Sequence, residues 1–193
     1  LVRSSPKSAS AASCTKPLRP VHGVASASGS DRTGRYSNAA RVAATLLAAR
    51  HGVPAADAGG LVVIGMGKLG GEELNFSSDI DLIYFYSSDQ GETAGVADGQ
   101  GGVKGRISLH AFFVKQAEMI TKAISQVTED GFVFRVDLGL RPEGKGGDVA
   151  LSLRSAEVYY ELWGQSWERA ALLKARAVAG SIPLGEELLE RIE

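Results

Sequence analysis

The stretch IGMGKLGGEELNFSSDIDLIYF, residues 64–85, decides how the chain is read. Its first half fits G-x-G-x-x-G, with Gly65, Gly67 and Gly70, and it follows the apolar run LVVI. A dinucleotide-binding turn of that form needs a helix opening at the glycines, so that free N–H groups and the helix dipole meet a pyrophosphate. Only GEELNFSSDI separates Gly70 from the next strand-like run, DLIYFY, and it carries no apolar stripe. A crossover to a parallel strand takes about a dozen residues or more. The nicotinamide reading therefore fails, although Asp89 falls where the fingerprint would place an acid. No Gly-Lys-Ser/Thr follows, so the stretch is not a P-loop either.

The second half offers carboxylates instead. Asp79 and Asp81 are two apart at the mouth of a strand, so their side chains point to one side. Two such carboxylates repel unless protonated or bound to a cation, and a hard divalent ion such as Mg2+ suits them. A third acid, Asp137, ends the strand-like run DGFVFRVDL at 130–138, where Val133, Arg135 and Asp137 share one face. If the two strands are neighbours, three carboxylates meet at one sheet edge, the layout of a two-metal phosphoryl-transfer site. Taken alone, Asp-x-Asp is common and better fits a turn or cap at Asp79, a strand start at Asp81 and an arginine pair for Asp137. The glycine turn upstream, the serine at 78 and the third aspartate favour the metal.

Around this centre the pattern is mixed. A helix is expected over 38–51, with Ala39, Val42, Ala43, Leu46 and Leu47 on one face and Gly52 as its stop. Strands are expected at 61–65, 81–86 and 130–138, and a long polar loop over 87–107. The stripe Phe113, Ala117, Ile120, Ile124, Val127 predicts a helix over 110–127. Another is expected over 155–169, with Tyr159, Trp163 and Trp167 turned to the core. The result is an α/β (α+β) domain with a small mixed sheet flanked by helices. Residues 1–35 are rich in Ser, Ala and Gly and read as a disordered tail. The domain proper is expected over 36–180. Residues 181–193 read as the start of a further helical region, and the chain as a fragment of something longer.

Composition excludes some classes. The net charge of −1 gives no overall basic field for nucleic acid. No apolar run reaches membrane-spanning length. The single cysteine, Cys14, supports neither a disulfide framework nor a zinc site, which favours a reducing, cytoplasmic setting.

Three blocks then carry a resemblance: GMGKLGGEELNFSSDIDLIYF, DGFVFRVDLGLRPEGKGG and YYELWGQSWERAALLKARAVAG. Together they resemble bacterial glutamine synthetase adenylyltransferase/adenylyl-removing enzymes, members of the nucleotidyltransferase superfamily. The resemblance implies the nucleotidyltransferase fold. Enzymes of that family carry two such domains joined by a helical regulatory region. One attaches AMP from ATP to a tyrosine of glutamine synthetase, and the other removes it by phosphorolysis to ADP. The wording of residues 73–78 and of Lys174-Ala175-Arg176 is similar to the removing, N-terminal domain. By this resemblance Asp79, Asp81 and Asp137 hold Mg2+ and do the catalytic work. Gly67, Gly70 and Gly71 let backbone N–H groups approach phosphates, and Ser78 contacts one. Lys68 is a phosphate contact or a solvated loop charge. Arg141 clamps a phosphate or pairs with Asp137. Glu73 and Asn75 orient the turn. Lys174 and Arg176 face the site or the acidic helix that follows Glu157. His51 and His110 are not expected to be ligands. The partners implied are glutamine synthetase and, for the full-length enzyme, a nitrogen-signalling regulatory protein. One departure stands out: the family's Arg-Leu-Arg-Pro is Gly139-Leu140-Arg141-Pro142 here, which removes a positive charge beside Asp137.

Overall fold

The computed structural model describes residues 29–75, 78–128, 131–132 and 134–192. The expected tail therefore lies outside the described residues up to position 28. Helix α1 spans Gly29–His51, so it begins well before residue 38. Strand β1 (Leu61–Gly65) leads into a single helical turn, α2 (Gly67–Gly70), and strand β2 (Ile80–Tyr86) follows. The expected polar loop contains a small hairpin, β3 (Val96–Ala97) with β4 (Val103–Lys104). Helix α3 is Leu109–Ser125, and its N-terminus is capped by Ser108, whose Oγ accepts from the N–H of Ala111 at 3.2 Å.

The expected strand at 130–138 is not one strand. It divides into β6 (Gly131–Phe132), paired with β5 (Val127–Thr128), and β7 (Val136–Asp137), paired with β2. Val133, assigned to its site face, lies outside the described residues. Strand β8 (Ala150–Ser152) runs into helix α4 (Leu153–Leu162), followed by α5 (Ser166–Leu172), β9 (Arg176–Gly180) and α6 (Ile182–Ile192).

The sheet runs β7-β2-β1-β9, with β8 on the same edge of β2 as β7. β1 lies antiparallel to both β2 and β9, while β7 and β8 run parallel to β2. The antiparallel β1–β2 pair is what a short connection without a crossover helix demands. Helices cover both faces, so all five residues of β1 are buried. One face packs Leu61, Val63, Leu82 and Tyr84 against α1 and α3. The other packs Val62, Ile64, Ile83 and Phe85 against α4, α5 and α6. Helix α6 thus lies on the sheet and joins its second core through Leu188 and Ile192.

Three packing expectations change. On α1 the buried side chains are Tyr36, Ala40, Ala43 and Leu47, whereas Val42 and Leu46 are exposed. The buried stripe Tyr36, Ala40, Ala43, Leu47 keeps steps of four and three, displaced from the expected face toward Tyr36. Val127 lies beyond α3, in β5, and is exposed. The expected helix over 155–169 breaks at Trp163 and Gly164, whose N–H groups both donate to the Tyr159 carbonyl. That break removes the common face assumed for the aromatics. Trp163 is 68% and Trp167 57% exposed, so neither is a core residue.

Candidate active site

β2 and β7 are neighbours, with Ile80 opposite Val136 and Asp81 opposite Asp137. Parallel register places the two aspartates side by side on one face, and Asp79 has the same parity as Asp81. This is the face of Ile83 and Phe85, at the N-terminal end of β2. The backbone fixes the junction from both sides. Met66 N–H donates to the Asp81 carbonyl at 2.9 Å, and Ile80 N–H donates to the Arg135 carbonyl at 2.9 Å.

The electrostatics follow from that convergence. The Asp81 carboxyl titrates above its usual range, first because burial strips its water and then because Asp137 and Asp79 repel its charge. Asp137 has a local partner: its Oδ1 accepts from Gly139 N–H at 2.6 Å. Asp79 is held by Arg135 through a two-pronged contact, Nε to Oδ1 at 2.6 Å and Nη2 to Oδ2 at 2.9 Å. The arginine pairing considered for Asp137 thus occurs one strand away, on Asp79. With Asp79 so turned, no three acidic, His or Cys side chains among the described residues converge as a metal cluster. Chemically the residues fit a hard cation. They are carboxylate oxygens whose mutual repulsion has already pushed one carboxyl upward, and a divalent ion would relieve it.

The glycine turn has two separate functions. Gly67 adopts φ +52°, the left-handed region that favours glycine, and a Cβ there would lie 3.1 Å from Asp81 Oδ2. It leaves the carboxylate clear. Gly70 allows backbone to pass backbone, since a Cβ would lie 1.8 Å from the Lys174 carbonyl. The N–H groups of Gly70 and Gly71 donate to the carbonyls of Met66 and Gly67, at 3.1 and 3.0 Å. They are engaged inside the turn, which changes the role expected for them toward phosphate. Lys68 is exposed on the same turn, and Ser78 is half-buried just before Asp79.

The remaining cations are committed to loops. Arg141 donates to the Leu138 carbonyl at 2.8 Å and to the Gly147 carbonyl at 3.3 and 3.4 Å, so it braces its own loop and does not pair with Asp137. Lys174 forks onto Glu73 at 3.1 Å, and Arg176 pairs with Glu72 at 2.9 Å. Both clamp the segment after the glycine turn, not the acidic helix. His51 Nδ1 contacts the Gly105 carbonyl, and His110 Nδ1 contacts the Tyr86 hydroxyl. Neither lies at the carboxylates.

A mixed sheet flanked by helices, with Gly-rich turn and paired strand-end aspartates, defines a nucleotidyltransferase-type domain. The family model for glutamate-ammonia ligase adenylyltransferase matches residues 37–191, and the chain belongs to that family. A curated relative from Hahella chejuensis is 50% identical over 133 residues, 69% of this chain and 13% of its own length. One from Pseudomonas syringae pv. tomato is 47% identical over 132 residues, 68% of this chain and 13% of its own. One from Stenotrophomonas maltophilia is 47% identical over 148 residues, 75% of this chain and 15% of its own. All three are named bifunctional glutamine synthetase adenylyltransferase/adenylyl-removing enzyme. The chain thus spans about a seventh of the length of these relatives. Among the described residues, no helix is long and apolar enough to cross a membrane.

Proposed function

We propose that this chain is the AMP-removing nucleotidyltransferase domain of such an enzyme, acting on adenylylated glutamine synthetase. The observation that carries the reading is the Asp81–Asp137 register, with Asp79 on the same side and Gly67 beneath. It gathers negative charge at a strand end without an equal number of cations. Asp79, Asp81 and Asp137 would hold Mg2+, which when bound supplies positive charge against the phosphate oxygens.

The reaction itself needs no side-chain nucleophile. An oxygen of inorganic phosphate attacks the AMP phosphorus, the bond from phosphorus to the tyrosine oxygen breaks, and ADP leaves. The tyrosine oxygen takes a proton from solvent. The protein's part is positioning and charge. Gly67 keeps the approach to Asp81 free of a side chain. Lys68, on the exposed side of the turn, and Ser78, next to Asp79, contact phosphate oxygens. Arg141 maintains the loop that follows Asp137.

The test uses the purified chain with AMP-modified glutamine synthetase, phosphate and Mg2+. ADP and unmodified glutamine synthetase are expected. The opposite direction is checked in parallel with ATP and unmodified glutamine synthetase. If labelled AMP enters the tyrosine there while no ADP forms in the first mixture, the chain attaches AMP and does not remove it.

A further inference from the structure

We propose that Arg135 is an anion-binding residue of this site. In the absence of substrate it holds Asp79, and on substrate binding its guanidinium passes to a phosphate, leaving Asp79 to the cation. The inference rests on the carboxylate-and-phosphate reading given above and deepens it.

The geometry has four parts. First, the Arg135 fork takes both oxygens of Asp79, at 2.6 and 2.9 Å, so its charge is paired and one acceptor site on each oxygen is occupied, which weakens its hold on a cation. Second, the pair is open to water, with side chains 72% and 44% exposed, and an exposed ion pair is weak enough to exchange. Third, the backbone of Arg135 is anchored, since its carbonyl accepts from Ile80 N–H at 2.9 Å. The guanidinium therefore exchanges partners without leaving the site. Fourth, three other cations are committed, Arg141 to carbonyls of its loop and Lys174 and Arg176 to the glutamates after the turn, which leaves Arg135 and Lys68 for an anion at the carboxylates. Position 139, four residues beyond Arg135, carries no side chain.

A guanidinium fork matches phosphate oxygens as well as it matches a carboxylate. Phosphate with two or more negative charges therefore competes for Arg135, and the released Asp79 joins Asp81 and Asp137. Anion and cation then strengthen each other's binding, and by linkage the effect is equal in both directions. Arg135 in this account is a positioning residue for Asp79 and a contact for the phosphate.

The experiment measures binding, not turnover. Free Mn2+ is followed by its electron-paramagnetic resonance signal in titrations of the 193-residue chain, with and without inorganic phosphate. A protein-free titration corrects for the Mn2+–phosphate complex. In the wild-type chain, phosphate is expected to tighten Mn2+ binding about 10-fold. In Arg135→Gln, Mn2+ alone is expected to bind about 10-fold tighter than in wild type, and phosphate to add less than about twofold. Arg135→Lys keeps the charge without the planar fork and is expected to keep less than about a third of the phosphate effect. Thermal melts verify that each variant is folded. Equal Mn2+ affinity in wild type and Arg135→Gln, with an equal phosphate effect, would overturn the exchange while leaving the carboxylate site standing. An Arg135→Lys chain that matches wild type in both respects would also overturn it, since charge alone would then suffice. Mn2+ binding that is absent from wild type, or unchanged in Asp81→Asn, would overturn both this inference and the site reading beneath it.

Discussion

Both ends of β2 lie beside acidic residues and are handled in opposite ways. At the C-terminal end, Tyr86 is buried and its hydroxyl meets His110 Nδ1 at 2.8 Å. His110 Nε2 lies 3.6 Å from Asp148, and Ser152 donates to Asp89 at 3.0 Å. Each polar group there has a partner. At the N-terminal end Asp79, Asp81 and Asp137 share one face, Arg135 reaches Asp79 alone, and Gly67 leaves Asp81 clear of a side chain. A fold that needed only stability would match both ends. The excess of carboxylate at the N-terminal end is what the proposed cation would balance.

The largest effect on stability is expected at the turn that builds the carboxylate end. In Gly70→Ala the new Cβ meets the Lys174 carbonyl, which cannot swing away as a side chain would. A loss of about 2–4 kcal/mol is expected. Thermal unfolding followed by circular dichroism would show it as a drop of roughly 5–15 °C.

At the matched end the effect is smaller and purely structural. Tyr86→Phe deletes the hydroxyl that meets His110, a partner that water can reach. About 1 kcal/mol of stability is expected to go. AMP transfer per folded molecule at 25 °C should not change. A changed rate would mean that the two ends of β2 are coupled.

Asp81→Asn should do the reverse and stabilise the metal-free fold at neutral pH, by no more than about 0.5 kcal/mol because solvent screens this partly exposed group. The sign follows from the raised carboxyl. A raised group contributes stability in its protonated form, complete below the unfolded value and lost as pH rises through the folded value. At pH 7 the wild type therefore carries an ionised group that the fold disfavours, and Asn removes it. Melts at pH 7 and pH 3 should show the gain at the first and none at the second.

The smallest effect is expected at Asp98, which supplies a carboxylate with donors. Its Oδ1 accepts from the N–H groups of Gln100 and Gly102, at 2.7 and 2.8 Å, and these lower its titration. Its contribution is present above the unfolded value and fades as pH falls through the folded one. A two-dimensional NMR titration should place Asp98 below 3.8 and Asp81 above it, with the apo chain in both cases. The same residue type should move in opposite directions because one has N–H partners and the other is partly buried among like charges.

How much of this was legible depended on the range of the interaction. β1, β2 and α3 follow from LVVIG, DLIYFY and the stripe through Phe113, Ala117, Ile120 and Ile124, because their patterns are local. The exclusion of a crossover helix needed only a count of residues, and the antiparallel β1–β2 pair accords with it. β8 and β9 were not legible. Ala150–Ser152 and Arg176–Gly180 are short and rich in small residues, and they become strands through their pairing with β2 and β1. The Asp79–Arg135 pair depended on register. Extending Ile80 opposite Val136 back by one position sets Asp79 opposite Arg135. Arg135 and Asp137 were visible on one face of their strand, but only the parallel register shows which carboxylate the arginine reaches. The exposure of Trp163 and Trp167 is hidden in the sequence, whose spacing fits one helix where two meet at Gly164.

The central claim is that the unmatched end of β2 is the reacting end. It is tested most directly by measuring Mg2+-dependent ADP release from AMP-modified glutamine synthetase in wild type, Asp81→Asn and Tyr86→Phe, side by side. Loss of an outer partner of a metal ligand costs about 10–100-fold, so loss of a ligand should cost more than about 100-fold. The account predicts that loss in Asp81→Asn and wild-type turnover in Tyr86→Phe. Full ADP release from a folded Asp81→Asn chain would contradict it.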